Sequence, residues 1–156
     1  GDSAFYNCSR LTSITLPSNL TSIGEMAFGY CSGLTSITLP SSLTNIERAA
    51  FYGCRGLTGA LDLSNCTSLT SIGDSAFYNC SRLTSITLPS SLTSIGIYAF
   101  SHCSRLTSIT FSNTTGWYRT TSSSDTTGPE MNMSKPEQNA TWLTKTYDSY
   151  YFKRDV

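Results

Sequence analysis

"CSRLTSITLPSSLTSIGIYAFSHC" occupies Cys80–Cys103, and "CSRLTSITLPSNLTSIGEMAFGYC" occupies Cys8–Cys31. The echo extends further, because residues 1–18 and 73–90 are identical. The phrase A-F-x-x-C ends at Cys8, Cys31, Cys54, Cys80 and Cys103, at intervals of 23, 23, 26 and 23 residues. A fixed period of this size marks a solenoid. One such unit cannot bury its own apolar face, so neighbours must stack.

Within a unit the apolar letters are regular. Leu83, Ile86 and Leu88 come first, then Leu92 and Ile95, then Ala99, Phe100 and Cys103. In "TSITL" the apolar residues alternate with Ser85 and Thr87, which is strand periodicity on β-compatible residues. Pro89 ends the run, since proline cannot donate to a ladder. The L-x-x-I-G run that follows predicts a second, shorter strand, with Gly24, Gly73 and Gly96 permitting a tight turn. If the main strand does not form at "TSITL", the alternative is that L-x-x-I-G carries the dominant sheet. "DSAFYNC" predicts one helical or 3-10 turn, with Asp74 or Ser75 as N-cap.

The motif C-x-x-L-x-x-I-x-L-P-x-x-L-x-x-I-G-x-x-A-F-x-x-C is met almost letter for letter at Cys8–Cys31 and Cys80–Cys103. In this the chain resembles the leucine-rich-repeat superfamily, and within it the BspA-like (Treponema-pallidum-type) class. The resemblance covers residues 1–111. It implies a right-handed solenoid of about five rungs with a parallel β-sheet and short helical or 3-10 turns. A small mixed α/β cap is expected over residues 112–156. The fourth unit departs: "CRGLTGALDLSNCTSLTSIG" carries three extra residues and has Ser64 where the others have proline. Leu61, Asp62 and Leu63 are expected to keep the strand, with a bulge nearby.

The repeated apolar letters are rungs of one core. Phe5, Phe28, Phe51, Phe77 and Phe100 are expected to stack as a ladder. Cys8, Cys31, Cys54, Cys80 and Cys103 form a second ladder, read as buried free thiols, since free cysteine behaves as a small apolar residue. Strands roughly 4.8 Å apart lie too far apart for the Cβ–Cβ separation of a disulfide, about 3.5–4.5 Å. A straight ladder does not converge on a tetrahedral metal either. Cys66 stands outside the ladder.

From Ser112 the repeat stops. Gly128-Pro129 predicts a hairpin with its loop around residues 122–127. "SKPEQNATWL" predicts a short helix capped by Ser134, with Pro136 early and Glu137 behind it. "YDSYYFKR" predicts a last strand. A stack must end on something that covers its last apolar rung, so the aromatic-rich tail is read as that cover. Trp117 and Tyr118 are the candidates for a partly exposed aromatic site.

Composition narrows the function. Lys plus Arg and Asp plus Glu number ten each among 156 residues. So balanced a chain offers no electrostatic footprint for nucleic acid, and no apolar stretch approaches a membrane span. No H-E-x-x-H, P-loop or G-x-G-x-x-G motif is present, and no cofactor or metal is implied. His102, the only histidine, reads as a solvent-facing turn residue. Asp2, Glu25, Glu47 and Asp74 read as caps and solubilising charges rather than as a carboxylate pair.

The strands place Ser13 and Thr15, Ser36 and Thr38, Asp62, Ser85 and Thr87, and Ser108 and Thr110 outward as the candidate binding face. The family resemblance implies a non-catalytic, extracellular or cell-surface bacterial module for adhesion to a protein or glycan. A structural spacer is the second reading. Lattice binding to ice or polysaccharide by the Ser/Thr ladder is the third. Because Gly1 corresponds to a mid-repeat position, Phe5, Leu11, Ile14 and Leu16 are expected to be unshielded. That edge could then pair with a second copy.

Overall fold

Each A-F-x-x-C phrase closes one turn of a solenoid in the computed structural model, which describes residues 1–155. Val156, the last residue of the expected cap, lies outside the described residues. The strands are β1 (Ser22–Ile23), β2 (Asn45–Ile46), β3 (Thr58–Asp62), β4 (Ser71–Ile72), β5 (Arg82–Leu88), β6 (Ser94–Ile95) and β7 (Ser108–Phe111). The tail adds β8 (Trp117–Thr120), β9 (Glu130–Met131), helix α1 (Pro136–Thr141) with a π-helical continuation over Trp142–Thr146, and β10 (Tyr151–Arg154).

Both strand readings have a place. The "TSITL" runs form a parallel three-stranded sheet, β3-β5-β7. The first two such runs do not join it. They meet their neighbours at single backbone points, Thr35 N–H to Thr12 O (3.1 Å) and Thr58 N–H to Thr35 O (3.2 Å). The L-x-x-I-G runs pair without a break as β1-β2-β4-β6, all parallel. A glycine follows the isoleucine in three of these four runs (Gly24, Gly73 and Gly96, with Glu47 in that place after Ile46), and there it lets neighbouring rungs approach closely. A Cβ on Gly96 would sit 2.3 Å from Asp74 Oδ1 and 2.5 Å from the Asp74 nitrogen, and Gly24 meets Asp2 in the same way. These glycines serve close approach between rungs, not the tight turn expected of them, and their φ angles are not positive. The irregular unit keeps its strand at Leu61 and Asp62, with a register shift between Gly59 and Ala60, but against expectation the strand ends before Leu63.

The "DSAFYNC" segments form linked turns, not helices. The N–H groups of Ser75, Phe77 and Asn79 donate to the carbonyls of Ile97, Ala99 and Ser101 at 2.8–2.9 Å. A helix would need those donors for itself. Ser75 (φ 55°) and Asn79 (φ 57°) adopt the left-handed conformation, as do their counterparts in every rung. Asp74 caps nothing locally. Its Oδ1 accepts from Ile97 N–H at 3.1 Å, tying one rung to the next, and Asp2 does the same for Glu25 at 3.0 Å.

The core follows the repeat. Phe5, Phe28, Phe51, Phe77 and Phe100 stack nearly parallel at 5.1–5.6 Å. Every cysteine is a free thiol, and Cys31, Cys54, Cys66, Cys80 and Cys103 are buried. Cys8 is exposed, against expectation. The thiols of Cys31, Cys54, Cys80 and Cys103 each pack on a phenylalanine carbonyl of the preceding rung, a contact that Cys8 does not make among the described residues. In the first rung Phe5, Leu11, Ile14 and Leu16 are only partly buried.

The tail continues the solenoid's own sheet. β10 pairs antiparallel with β6 on one side and β8 on the other, giving the order β1-β2-β4-β6-β10-β8-β9. The β8-β9 hairpin, the short helix and the last strand occur as expected. The helix is not capped by Ser134, however: Lys135 holds the N-cap position and makes no side-chain cap bond. Trp117 and Tyr118 are 1% and 7% exposed, so the exposed aromatic platform expected there does not exist. Trp117 packs edge-on against Phe111 at 4.9 Å, and its Nε1–H donates to Asn113 O at 2.9 Å. Packing on Phe111 consumes the Trp117 ring, and Tyr118 is buried beside Gly128 of the tail. Asn139, fully buried, locks α1 down by donating through Nδ2 to Ile109 O and Met133 O, both at 2.9 Å.

Candidate functional site

Two sets of hydroxyl groups stand out in the solenoid. One holds rungs together. Thr35, Thr44, Thr70, Thr93 and Thr107 each donate Oγ1–H to a threonine carbonyl of the preceding rung, at 2.8–3.3 Å. Ser42 and Ser91 do likewise at the following turn. Each of these hydroxyls therefore satisfies a backbone acceptor of the neighbouring rung.

The other population faces outward from the "TSITL" runs. Ser13, Thr15, Ser36, Thr38, Asp62 and Thr110 are exposed, and Ser85, Thr87 and Ser108 are half-buried, while Ile86, Leu88 and Ile109 between them are buried. Strand register sets them in two columns. Ala60, Ser85 and Ser108 align in one, and Asp62, Thr87 and Thr110 in the other. Their hydroxyls take no part in the bonding between rungs described above, so they are available to a ligand. Asp62 is the charged member of the face. The Ser64 N–H at 2.9 Å holds its carboxyl below the usual carboxylate range.

A second surface was hidden in the sequence. Tyr6, Tyr30, Tyr52, Tyr78 and His102 form a row of rings along the solenoid, with successive centroids 4.8–5.8 Å apart. Tyr6 and Tyr30 are 48% and 40% exposed. The aromatic residue falls at the first or second place after A-F ("AFYNC" against "AFGYC"), so column alignment breaks the row. Tyr52 and Tyr78 stack face to face at 7°. Each gives one face to the other, with Tyr30 next to Tyr52 and His102 next to Tyr78, and both rings are half-buried.

The row ends beside a polar cluster. His102 is exposed, as expected, while Ser101 next to it is buried. Ser101 Oγ lies 2.9 Å from both His102 Nδ1 and Asp148 Oδ2. This is not a Ser–His–Asp relay, which needs the histidine between an exposed serine and the acid. Here a buried serine sits in the middle and donates its proton to Asp148. The turn acids lie apart from any paired arrangement as well: Glu25 is engaged with Arg48 at 2.6 Å on the surface. Among the described residues no three or more His, Cys, Asp or Glu side chains are grouped to hold a metal. Among those residues, too, no helix is long and apolar enough to cross a membrane.

Comparison with known proteins agrees with this architecture. A family model described as a BspA type leucine rich repeat region matches residues 1–123 in six copies. A leucine-rich-repeat protein of T. pallidum is similar at 38% identity and TM-score 0.65, covering 69% of this chain and 49% of its own. A leucine-rich repeat protein from Bacteroides ovatus ATCC 8483 is 40% identical, with TM-score 0.64 over 70% of this chain and 27% of the other. A leucine rich cell surface protein from Faecalibacterium prausnitzii A2-165 is 30% identical, with TM-score 0.54 over 87% and 42%. The chain thus spans half or less of the length of each of these structures. Among curated proteins none matches significantly.

Proposed function

The chain belongs to the BspA-type leucine-rich-repeat family, and from that premise we propose that it is a non-catalytic binding module of a secreted or cell-surface bacterial protein. The partner is an extracellular protein or glycan chain laid along the outward hydroxyl columns. The observation that carries this reading is the division of the hydroxyls: Thr44 and Thr93 are tied to neighbouring rungs, while Thr38 and Thr87 are not. Extended solenoid surfaces of this kind suit elongated partners. The similarity to a protein described as a leucine rich cell surface protein supports the location. The face lacks the tryptophan, tyrosine and arginine that dominate tight interfaces. Binding through it is therefore weak per rung and gains from many rungs acting together.

The spacer reading is favoured by one specific observation, the identity of residues 1–18 and 73–90, because a localised site needs rungs that differ. Lattice binding is disfavoured by Asp62 and by the register shift at Gly59/Ala60, which interrupt a regular array. Self-association is proposed at the partly exposed first rung, around Phe5, Ile14 and Leu16.

An array of immobilised extracellular-matrix proteins and glycans, probed with the wild type and with a Thr15→Arg/Thr38→Arg/Thr87→Arg triple variant, tests the proposal. Binding by the wild type and its loss in the triple variant are expected. No wild-type binding to any array member favours the spacer, and equal binding by both proteins removes the hydroxyl face.

A further inference from the structure

The exposed aromatic row has an unfilled next place. Along the core, the position after Phe100 is closed by the tail, and Phe100 is fully buried. On the outside, the position after His102 is open. A cavity of about 520 Å³ lies there, between the last rung and the α1 helix with its π-helical continuation. One side of the imidazole packs on Tyr78 at 4.8 Å, and His102 also lines the cavity.

The chemistry of the walls is specific. Leu106 and Ala140 give an apolar floor. Glu137, Lys145 and Asp148 supply charges. Among the described residues the one ion pair is Glu25–Arg48, so these three charges are uncompensated by one another. Asp148 is fixed in place: Oδ2 accepts from buried Ser101 at 2.9 Å, and its backbone carbonyl accepts from Tyr98 N–H at 2.5 Å. Its Oδ1 remains for a ligand. A cationic ligand would meet Lys145, and an anionic one would meet Glu137 and Asp148. A neutral polyol suits both signs, because each hydroxyl donates to a carboxylate or accepts from an ammonium. A ring with an apolar C–H face and a hydroxylated rim matches the imidazole and the floor as well as the charged walls. The volume falls in the range of small-ligand sites, about 300–1,000 Å³.

We propose that this cleft binds a pyranose ring of a neutral glycan, stacked on His102 as the next ring of the row and held at its rim by Asp148 and Lys145. The cleft shares no residue with the outward hydroxyl columns, so it is a second site and goes beyond the reading above.

Saturation-transfer NMR on the full chain tests it, using the methyl pyranosides of glucose, galactose, mannose and N-acetylglucosamine. Arginine methyl ester and inorganic phosphate serve as charged competitors. The key variant is His102→Gly. Its backbone is already left-handed (φ 60°), and the equivalent rung position is Gly53 (φ 68°), so the substitution suits the fold. At least one glycoside should receive saturation, and His102→Gly and Lys145→Ala should each weaken its affinity by about five-fold or more, as expected when one stacking or charged contact is lost. Absence of transfer to all four glycosides, or transfer unchanged in His102→Gly, overturns the proposal. Binding of arginine methyl ester or phosphate in place of the glycosides overturns it too, by assigning the cleft to a charged ligand. The triple variant on the hydroxyl face should bind glycoside like the wild type, which separates failure of this site from failure of that face.

Discussion

The Sγ–H of Cys54 donates to the carbonyl oxygen of Phe28, one rung earlier, at 3.0 Å. The same bond recurs from Cys31 to Phe5, Cys80 to Phe51 and Cys103 to Phe77, at 3.0–3.2 Å. The two ladders of the repeat are therefore one device, in which four cysteines each satisfy the backbone of the phenylalanine one rung earlier. Burial, and secondarily the neighbouring Cys31 thiol, pushes the Cys54 thiol from its ordinary 9.0 up to about 12.

That shift sets a pH dependence. Below pH 9 the thiol is neutral in both states, and its contribution to stability is fully present. As pH rises from 9 toward 12, the unfolded chain ionises the thiol and the folded protein does not, so stability is lost across that window. Chemical denaturation at several alkaline pH values should show this loss, and Cys54→Ala should lessen it without abolishing it, because burial also pushes up the Cys31, Cys66 and Cys80 thiols. Thiol titration of the native protein should find one rapidly reacting group, Cys8, and six after denaturation.

Truncating the phenylalanine stack should cost according to place. Phe77 is fully buried between Phe51 and Phe100, and Phe77→Ala should destabilise by about 3–5 kcal/mol. Phe5 stacks on one neighbour only and is partly exposed, so Phe5→Ala should cost less than half as much. Urea unfolding of the two variants checks the ratio.

The rung glycines and the left-handed positions predict opposite signs. Gly96→Ala forces a Cβ into Asp74 and should destabilise by about 1–3 kcal/mol, as overpacking does. Ser75→Gly relieves a left-handed conformation at φ 55° and should raise stability by about 0.5–1 kcal/mol, after the entropy that glycine loses on folding. Thermal unfolding of both variants is the measurement.

The cap should loosen locally when its central polar anchor is removed. Asn139→Ala leaves the Ile109 and Met133 carbonyls without a donor, a cost of about 1–3 kcal/mol. Hydrogen exchange should accelerate over residues 112–155 and around β7, with rungs one to three unchanged.

Much of this was legible because a solenoid repeats its own evidence. Five copies of A-F-x-x-C located the core, and the alternation in "TSITL" set inside against outside correctly at Ile86 and Thr87. What escaped lay between rungs, where sequence carries no pairing signal. Gly96 reads as a turn residue until Asp74 is seen against it. Asp74 reads as a cap until its bond to Ile97 is seen. Trp117 and Tyr118 read as a platform because a tail's docking geometry is not periodic. The cleft at His102 joins the last rung to a helix some forty residues on, and the hydroxyls of Thr44 and Thr87 look alike until their partners are known.

That last distinction is the core of the account, and one set of variants tests it most directly. Thr44→Val, Thr93→Val, Thr38→Val and Thr87→Val each replace a hydroxyl by a methyl of similar shape. Thermal unfolding and matrix-array binding are measured on all four. Thr44→Val and Thr93→Val should lower stability by about 0.5–1.5 kcal/mol each, a drop of about 2–4 °C per kcal/mol for a domain of this size, and keep binding. Thr38→Val and Thr87→Val should leave stability within about 0.5 kcal/mol and weaken binding. Equal destabilisation by all four, or binding lost through Thr44→Val and Thr93→Val but kept by the face variants, would contradict the division of the hydroxyls and the function built on it.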